Sequence, residues 1–188
     1  MEKIIQKIQE QIGAGIYPGA SLALYQKGSW QEYYLGLADP DKQEPVIPGL
    51  TYDLASVSKV VGVGTVLAFL VRQGQIDIDR PLASHYPDME QAEVTIRQLL
   101  THTSGLDPFI PRRDDLDAEG LKEALHRLKL KDKRQFHYTD VNFLLLGFLL
   151  EKWYGQDLAQ IFQEQVFAPW QMKETTFGPV SQAVPTLR

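Results

Sequence analysis

The sequence contains no cysteine, which excludes disulfides, thiolate metal sites and cysteine nucleophiles. Its four histidines, His85, His102, His126 and His137, are scattered and form no His-Glu-x-x-His pair. No metal site is therefore expected. It has no G-x-G-x-x-G loop and no Walker loop, so no dinucleotide or nucleotide cofactor is expected. Positive charge is in short supply: 19 Lys and Arg face 24 Asp and Glu, for a net charge of −5. That balance argues against a nucleic-acid partner. The apolar run Val60 to Val71 is too short to span a bilayer, and Arg72 follows it. The opening residues Met1 to Lys7 lack an apolar signal core. The expectation is a cytoplasmic protein without a membrane span.

What is present is an ordinary globular balance, 44% hydrophobic and 23% charged over 188 residues. That length suffices for one sizeable core or two small lobes. The chain is organised around Tyr52-Asp53-Leu54-Ala55-Ser56-Val57-Ser58-Lys59, which follows a loop carrying Pro40, Pro45, Pro48 and Gly49. A buried helix is expected from Val60 to Val71, because it is apolar on nearly every face. Ser56 and Lys59 stand three apart, a spacing that puts the hydroxyl and the amine on one helix face. A helix N-terminus adds unpaired N–H groups and positive partial charge, a setting that suits a serine alkoxide. Burial is expected to lower the lysine pKa and make it a base. The alternative is that Ser56 caps the helix and Lys59 is solvated.

Along the chain, Ile4, Ile5, Ile8 and Ile12 mark an amphipathic helix ending at Gly13 or Gly15. Ala20–Tyr25 and Trp30–Leu37, joined across Lys27-Gly28, read as a hairpin. Val94–Leu100 reads as a short helix with Thr95 as cap, and Asp117 caps another over Ala118–Leu128. Lys129 to Arg134 is expected to be solvated. Val141–Tyr154 is a strongly apolar helix ended by Gly155, and Leu158–Phe167 an amphipathic one stopped by Pro169. No clear element is expected from Trp170 to Arg188. Gly62 and Gly64 are expected to permit close packing. Two strands do not make a stable sheet, so the sheet is expected to be incomplete.

Two further clusters bear chemistry. Tyr138-Thr139-Asp140 immediately precedes a buried helix. A tyrosine beside an ammonium can lose or relay a proton; alternatively Tyr138 packs its ring and Asp140 caps the helix. Thr101-His102-Thr103-Ser104-Gly105 reads as structural, its hydroxyls tying a turn and Gly105 supplying an unusual backbone conformation.

Taken together, Pro18-Gly19-Ala20, Ala55–Lys59, Gly74–Pro81, Leu99–Leu106 and Tyr138–Gly147 resemble the serine β-lactamase and penicillin-binding-protein-like family, on its class C and serine-esterase side. The resemblance implies an α/β (α+β) fold of the β-lactamase/transpeptidase type, with an antiparallel sheet flanked by helices and an all-helical lobe. The organisation expected is residues 1–55 for the N-terminal helix and first strands, 56–168 for the mainly helical lobe, and 169–188 for a return segment. It also implies a serine hydrolase that forms an acyl-enzyme, with Ser56 as nucleophile and Lys59 and Tyr138 managing protons. The substrate is expected to be a small ester, an amide of D-amino-acid type or a β-lactam. Where the family usually has a substrate-binding Asn, this chain has Asp140, which adds a charge and removes amide donors. The family's later Lys/His-Thr/Ser-Gly motif has no counterpart after Tyr138. The implied consequence is that residues 1–188 alone are inactive. The remaining strands would come from a further C-terminal segment or a pairing chain. The rival reading is a non-catalytic binding or regulatory module that keeps the penicillin-binding fold.

Overall fold

The computed structural model describes residues 2–91, 93–131 and 135–185. They fall into two compact units: Met1–Leu54 with Gly178–Arg188, and Ala55–Phe177.

The first unit holds helix α1 (Glu2–Gly13) and a three-stranded antiparallel sheet, β1 (Gly19–Gln26), β2 (Ser29–Asp39) and β3 (Glu44–Pro45), in the order β1-β2-β3. Lys27 and Gly28 have φ of 52° and 82°, the left-handed pair that a tight two-residue hairpin demands. The turn sets the register, with Gln26 opposite Ser29 and Tyr25 opposite Trp30. The third strand is a correction to the two-strand expectation. It is only two residues long and enters after an irregularity between Leu37 and Asp39, so it carries no alternation to detect. Asp39 is buried there, accepting from the Asp41 and Lys42 backbone N–H groups and pairing with Lys42 Nζ at 2.8 Å.

The second unit is helical and contains α2 (Thr65–Arg72), α3 (Ile96–Leu100), α4 (Ala118–His126), α5 (Asp140–Tyr154) and α6 (Leu158–Phe162). Its centre is α5, with Val141, Leu145, Leu146, Leu149 and Leu150 all buried. The helix is apolar on most of its circumference, so it runs through the core rather than along its edge. Sequence caps land as expected. Thr95 and Gln98 form a reciprocal capping box on α3, and Asp117 accepts from Gly120 N–H on α4. Gly155 ends α5 at φ 65°. Asp140 is the first residue of α5, behind Thr139 in the cap position; the alternative that it caps the helix does not hold.

The helix expected over Val60–Val71 begins instead as a π-helical turn, Lys59–Gly64. The Thr65 hydroxyl donates to the Val60 carbonyl five residues back at 2.8 Å, which holds the widened turn open. Gly62 is required there, because a Cβ would stand 2.3 Å from the Phe162 ring. A second π-helical turn, Gln163–Phe167, continues α6. Of the charged stretch from Lys129, Lys129 and Lys131 are exposed and pair with Glu90 and Asp107. Residues 132–134 of that stretch, and 186–188 of the terminal one, lie outside the described residues. Among the described residues no helix is long and apolar enough to cross a membrane.

Candidate active site

Ser56 lies in the turn that leads into the π-helical segment. Ala55 before it adopts φ 44°, a left-handed conformation that costs an alanine about 1 kcal/mol or more. The turn is closed by Ser58 N–H to Ala55 O and Lys59 N–H to Ser56 O, both 3.1 Å, and by Ser58 Oγ donating to Ala55 O. The sharp turn leaves the Ser56 side chain outside the helix's own bonding, and no capping role falls to it.

Lys59 Nζ donates to Ser56 Oγ at 3.1 Å and pairs with Asp140 Oδ1 at 2.8 Å. The Tyr138 ring lies beside it, with the ammonium 5.4 Å from the ring centroid. Two of the ammonium's three donors are thus engaged by Ser56 and Asp140. The side chain is largely covered, at 16% exposure, so the alternative of a solvated lysine fails. Its expected depressed pKa is also corrected. The hydrogen bond to Asp140 raises the Lys59 pKa, against burial, and Tyr138 adds to the rise. Burial alone would have lowered it; a carboxylate brought across from another element reverses the sign.

The same ion pair lowers the Asp140 pKa. Hydrogen bonds from Ser56 first, and then from Lys59, lower that of the Tyr138 phenol. Lys59 is thus held charged, and of Lys59 and Tyr138 the phenol is the one moved towards deprotonation. The structure links Ser56, Lys59 and Asp140 by hydrogen bonds and sets the Tyr138 ring against the Lys59 ammonium.

Behind the cluster is a second, buried one. Asn142, Ser104 and His102 are 0%, 2% and 8% exposed. Ser104 Oγ donates to Asn142 Oδ1 at 2.7 Å, and Asn142 Nδ2 lies 3.1 Å from His102 Nδ1. The hydroxyls of Thr101 and Thr103 bond each other, and Gly105 takes φ 73°, as a structural turn requires. Asn142 was not singled out in the sequence. Its one sequence signal is a polar residue inside the otherwise apolar α5.

The matching family model is described as Beta-lactamase and covers residues 4–188. Among curated relatives, the chain is 27% identical over 187 residues to protein flp of Staphylococcus aureus strain MW2, covering 90% of this chain and 37% of that protein. It is 27% identical over 173 residues to a beta-lactamase of Providencia stuartii, with coverages of 89% and 43%. Among solved structures, the D-amino acid amidase of Ochrobactrum anthropi SV3 bound to L-phenylalanine superposes with a TM-score of 0.76 at 25% identity. That match spans 98% of this chain and 55% of the amidase. A class C beta-lactamase superposes with a TM-score of 0.82 at 22% identity over 96% and 51%, a likeness of fold. The chain spans about half or less of the length of these relatives.

Proposed function

This chain belongs to the beta-lactamase family, and from that premise we propose that it is a serine hydrolase working through an acyl-serine intermediate. The observation that carries the proposal is the Lys59 ammonium bonded to Ser56 and Asp140 and set against the Tyr138 ring. Tyr138, as phenolate, takes the Ser56 proton. Ser56 Oγ attacks the substrate carbonyl and its N–H helps to hold the oxyanion. Tyr138 returns the proton to the leaving group as the C–N or C–O bond breaks. Water, deprotonated by the same phenolate, then releases the acyl group, and the proton returns to Ser56. Lys59 stays charged throughout and stabilises the phenolate. The substrates we assign are small esters or amides of D-amino-acid type. Likeness to the amidase supports the amide, and the Asp140 carboxylate in place of an amide donor supports the ester.

Intact-protein mass after exposure to a fluorophosphonate tests the reading. With the family's remaining strands supplied, one adduct is expected, absent in Ser56→Ala. An adduct that persists in Ser56→Ala reassigns the nucleophile. A protein that gains no mass at all is a binding module.

Asp140 sets the pH behaviour of the cluster. Its pKa is lowered in the fold, so its contribution to stability is present above the unfolded value of about 3.9 and is lost as pH falls through the folded value. That of Lys59 is raised, so its contribution is present below about 10.4 and is lost as pH rises through the folded value. Near neutrality the pair contributes a constant amount, under about 1 kcal/mol because Asp140 is 59% exposed. Asp140→Asn is therefore expected to leave the melting temperature nearly unchanged at pH 7. It should move the alkaline limb of the acylation profile to lower pH as Lys59 loses its partner. It should also raise the ratio of β-lactam to ester acylation about fivefold, the worth of one neutral hydrogen bond. An unchanged ratio and an unchanged alkaline limb would remove Asp140 from the site.

A further inference from the structure

Tyr138 is half exposed, and its own side chain does not bury it in place. What holds it is the backbone on either side, and both flanks are gripped by one residue. His137 N–H donates to the His102 carbonyl at 2.8 Å. Thr139 N–H points at His102 Nδ1, a long bond at 3.4 Å. The His102 ring lies 4.5 Å from the Tyr138 ring, with Phe136 and Phe143 also against it at 6.2 and 5.3 Å. His102 reaches all of these because its backbone is left-handed, φ 55°, which turns carbonyl and ring towards the same segment.

The tautomer of His102 follows from its neighbours. Ser104 Oγ accepts from Leu106 N–H and donates to Asn142 Oδ1. With Oδ1 on Ser104, the Asn142 Nδ2, a pure donor, faces His102 Nδ1. Thr139 N–H is a donor as well. Two donors converge on Nδ1, so it carries no proton, and the ring proton sits on Nε2.

Resting on the acyl-serine reading above, we propose that His102 is a positioning residue that clamps the Tyr138 segment through an unprotonated Nδ1 and so keeps the phenol on Ser56. A proton on Nδ1 meets two donors and no acceptor, and the clamp on Thr139 opens. The charged and titratable groups facing the ring are Lys59 from the π-helical turn, Asp140 from α5 and Tyr138 itself. Burial, and then Lys59, push the His102 pKa below its usual value, while Asp140 opposes them. The clamp therefore stays closed at neutral pH and opens under acid.

The test compares His102→Asn with His102→Phe. Asparagine tolerates the left-handed backbone and offers Oδ1 where Nδ1 stood, but does not titrate. Phenylalanine keeps a ring and loses the acceptor. Fluorophosphonate labelling is followed from pH 5 to 9. In the unsubstituted protein the log rate should fall with a slope of about one as Tyr138 protonates, steepening to about two where His102 protonates. His102→Asn should stay within about threefold at pH 8 and lose the steep segment. His102→Phe should fall about 100-fold, the cost of roughly 1 Å of misplacement. ¹⁵N NMR of the imidazole should find Nδ1 unprotonated at pH 8, whether or not the protein turns over. A rate for His102→Phe within threefold of normal, a steep acid limb surviving in His102→Asn, or a proton on Nδ1 at pH 8 overturns the clamp. Absence of labelling in the unsubstituted protein overturns the acyl-serine reading instead, and the NMR result then decides the clamp by itself.

Discussion

Lys59→Ala is expected to lower the rate of Ser56 acylation about 10³-fold, Tyr138→Phe to lower it comparably, and the double variant to be little worse than either. General acid–base groups contribute about 10²–10⁴-fold, and groups that act as a unit are strongly non-additive. Here the unit is physical. The Lys59 ammonium donates to Ser56 and, after Ser56 itself, is the next cause that holds the phenol's pKa down. Without it, Asp140 is left as an unpaired carboxylate that acts on Tyr138 in the opposite sense. Lys59→Ala should therefore move the acid limb of the labelling profile upwards, towards the ordinary phenol value of about 10. Single-turnover labelling against pH reads both effects. Rates that multiply in the double variant, with an unmoved limb in Lys59→Ala, would show that Lys59 and Tyr138 act independently.

Asn142→Ala is expected to cost about 2–4 kcal/mol of stability, measured as a fall in denaturant midpoint at constant slope. The side chain is fully buried and joins two groups. Its loss leaves the Ser104 hydroxyl and one partner position of His102 Nδ1 unsatisfied, each costing about 1–3 kcal/mol. Asn142→Asp separates packing from donor chemistry. An aspartate still accepts from Ser104 but cannot donate to His102, so it should draw a proton onto Nδ1 and raise the imidazole pKa. A midpoint unchanged in Asn142→Ala would mean that the two groups find other partners.

Much of this architecture was legible locally. The hairpin across Lys27-Gly28, the Thr95 capping box, the Asp117 cap and the Gly155 stop depend on residues within one turn of each other, where side-chain chemistry and backbone conformation are tied together. The buried helix α5 was legible because it is apolar on most of its circumference. The Ser56–Lys59 contact was legible because three residues is one turn. The short strand β3 was not, because two residues carry no periodicity. Nor was the π-helical start of the Lys59 segment, which depends on Phe162 packing onto Gly62 and on the Thr65 hydroxyl.

The sequence by itself determined which groups are available for chemistry: a serine and a lysine on one turn, a tyrosine and an aspartate at the head of a buried helix, and no thiol. Tertiary structure decided their charges. Taken alone, a lysine in the first turn of a buried helix loses its proton more readily. Only when folding sets Asp140 2.8 Å from its ammonium does the pKa rise instead, leaving the phenol of Tyr138 as the group moved towards the base. The tautomer of His102 was likewise decided by Ser104, Asn142 and Thr139, which the fold gathers around one ring nitrogen. Electrostatic and hydrogen-bonding terms depend on distances across the core, and those distances exist only once α5 has packed against the segment that begins at Lys59.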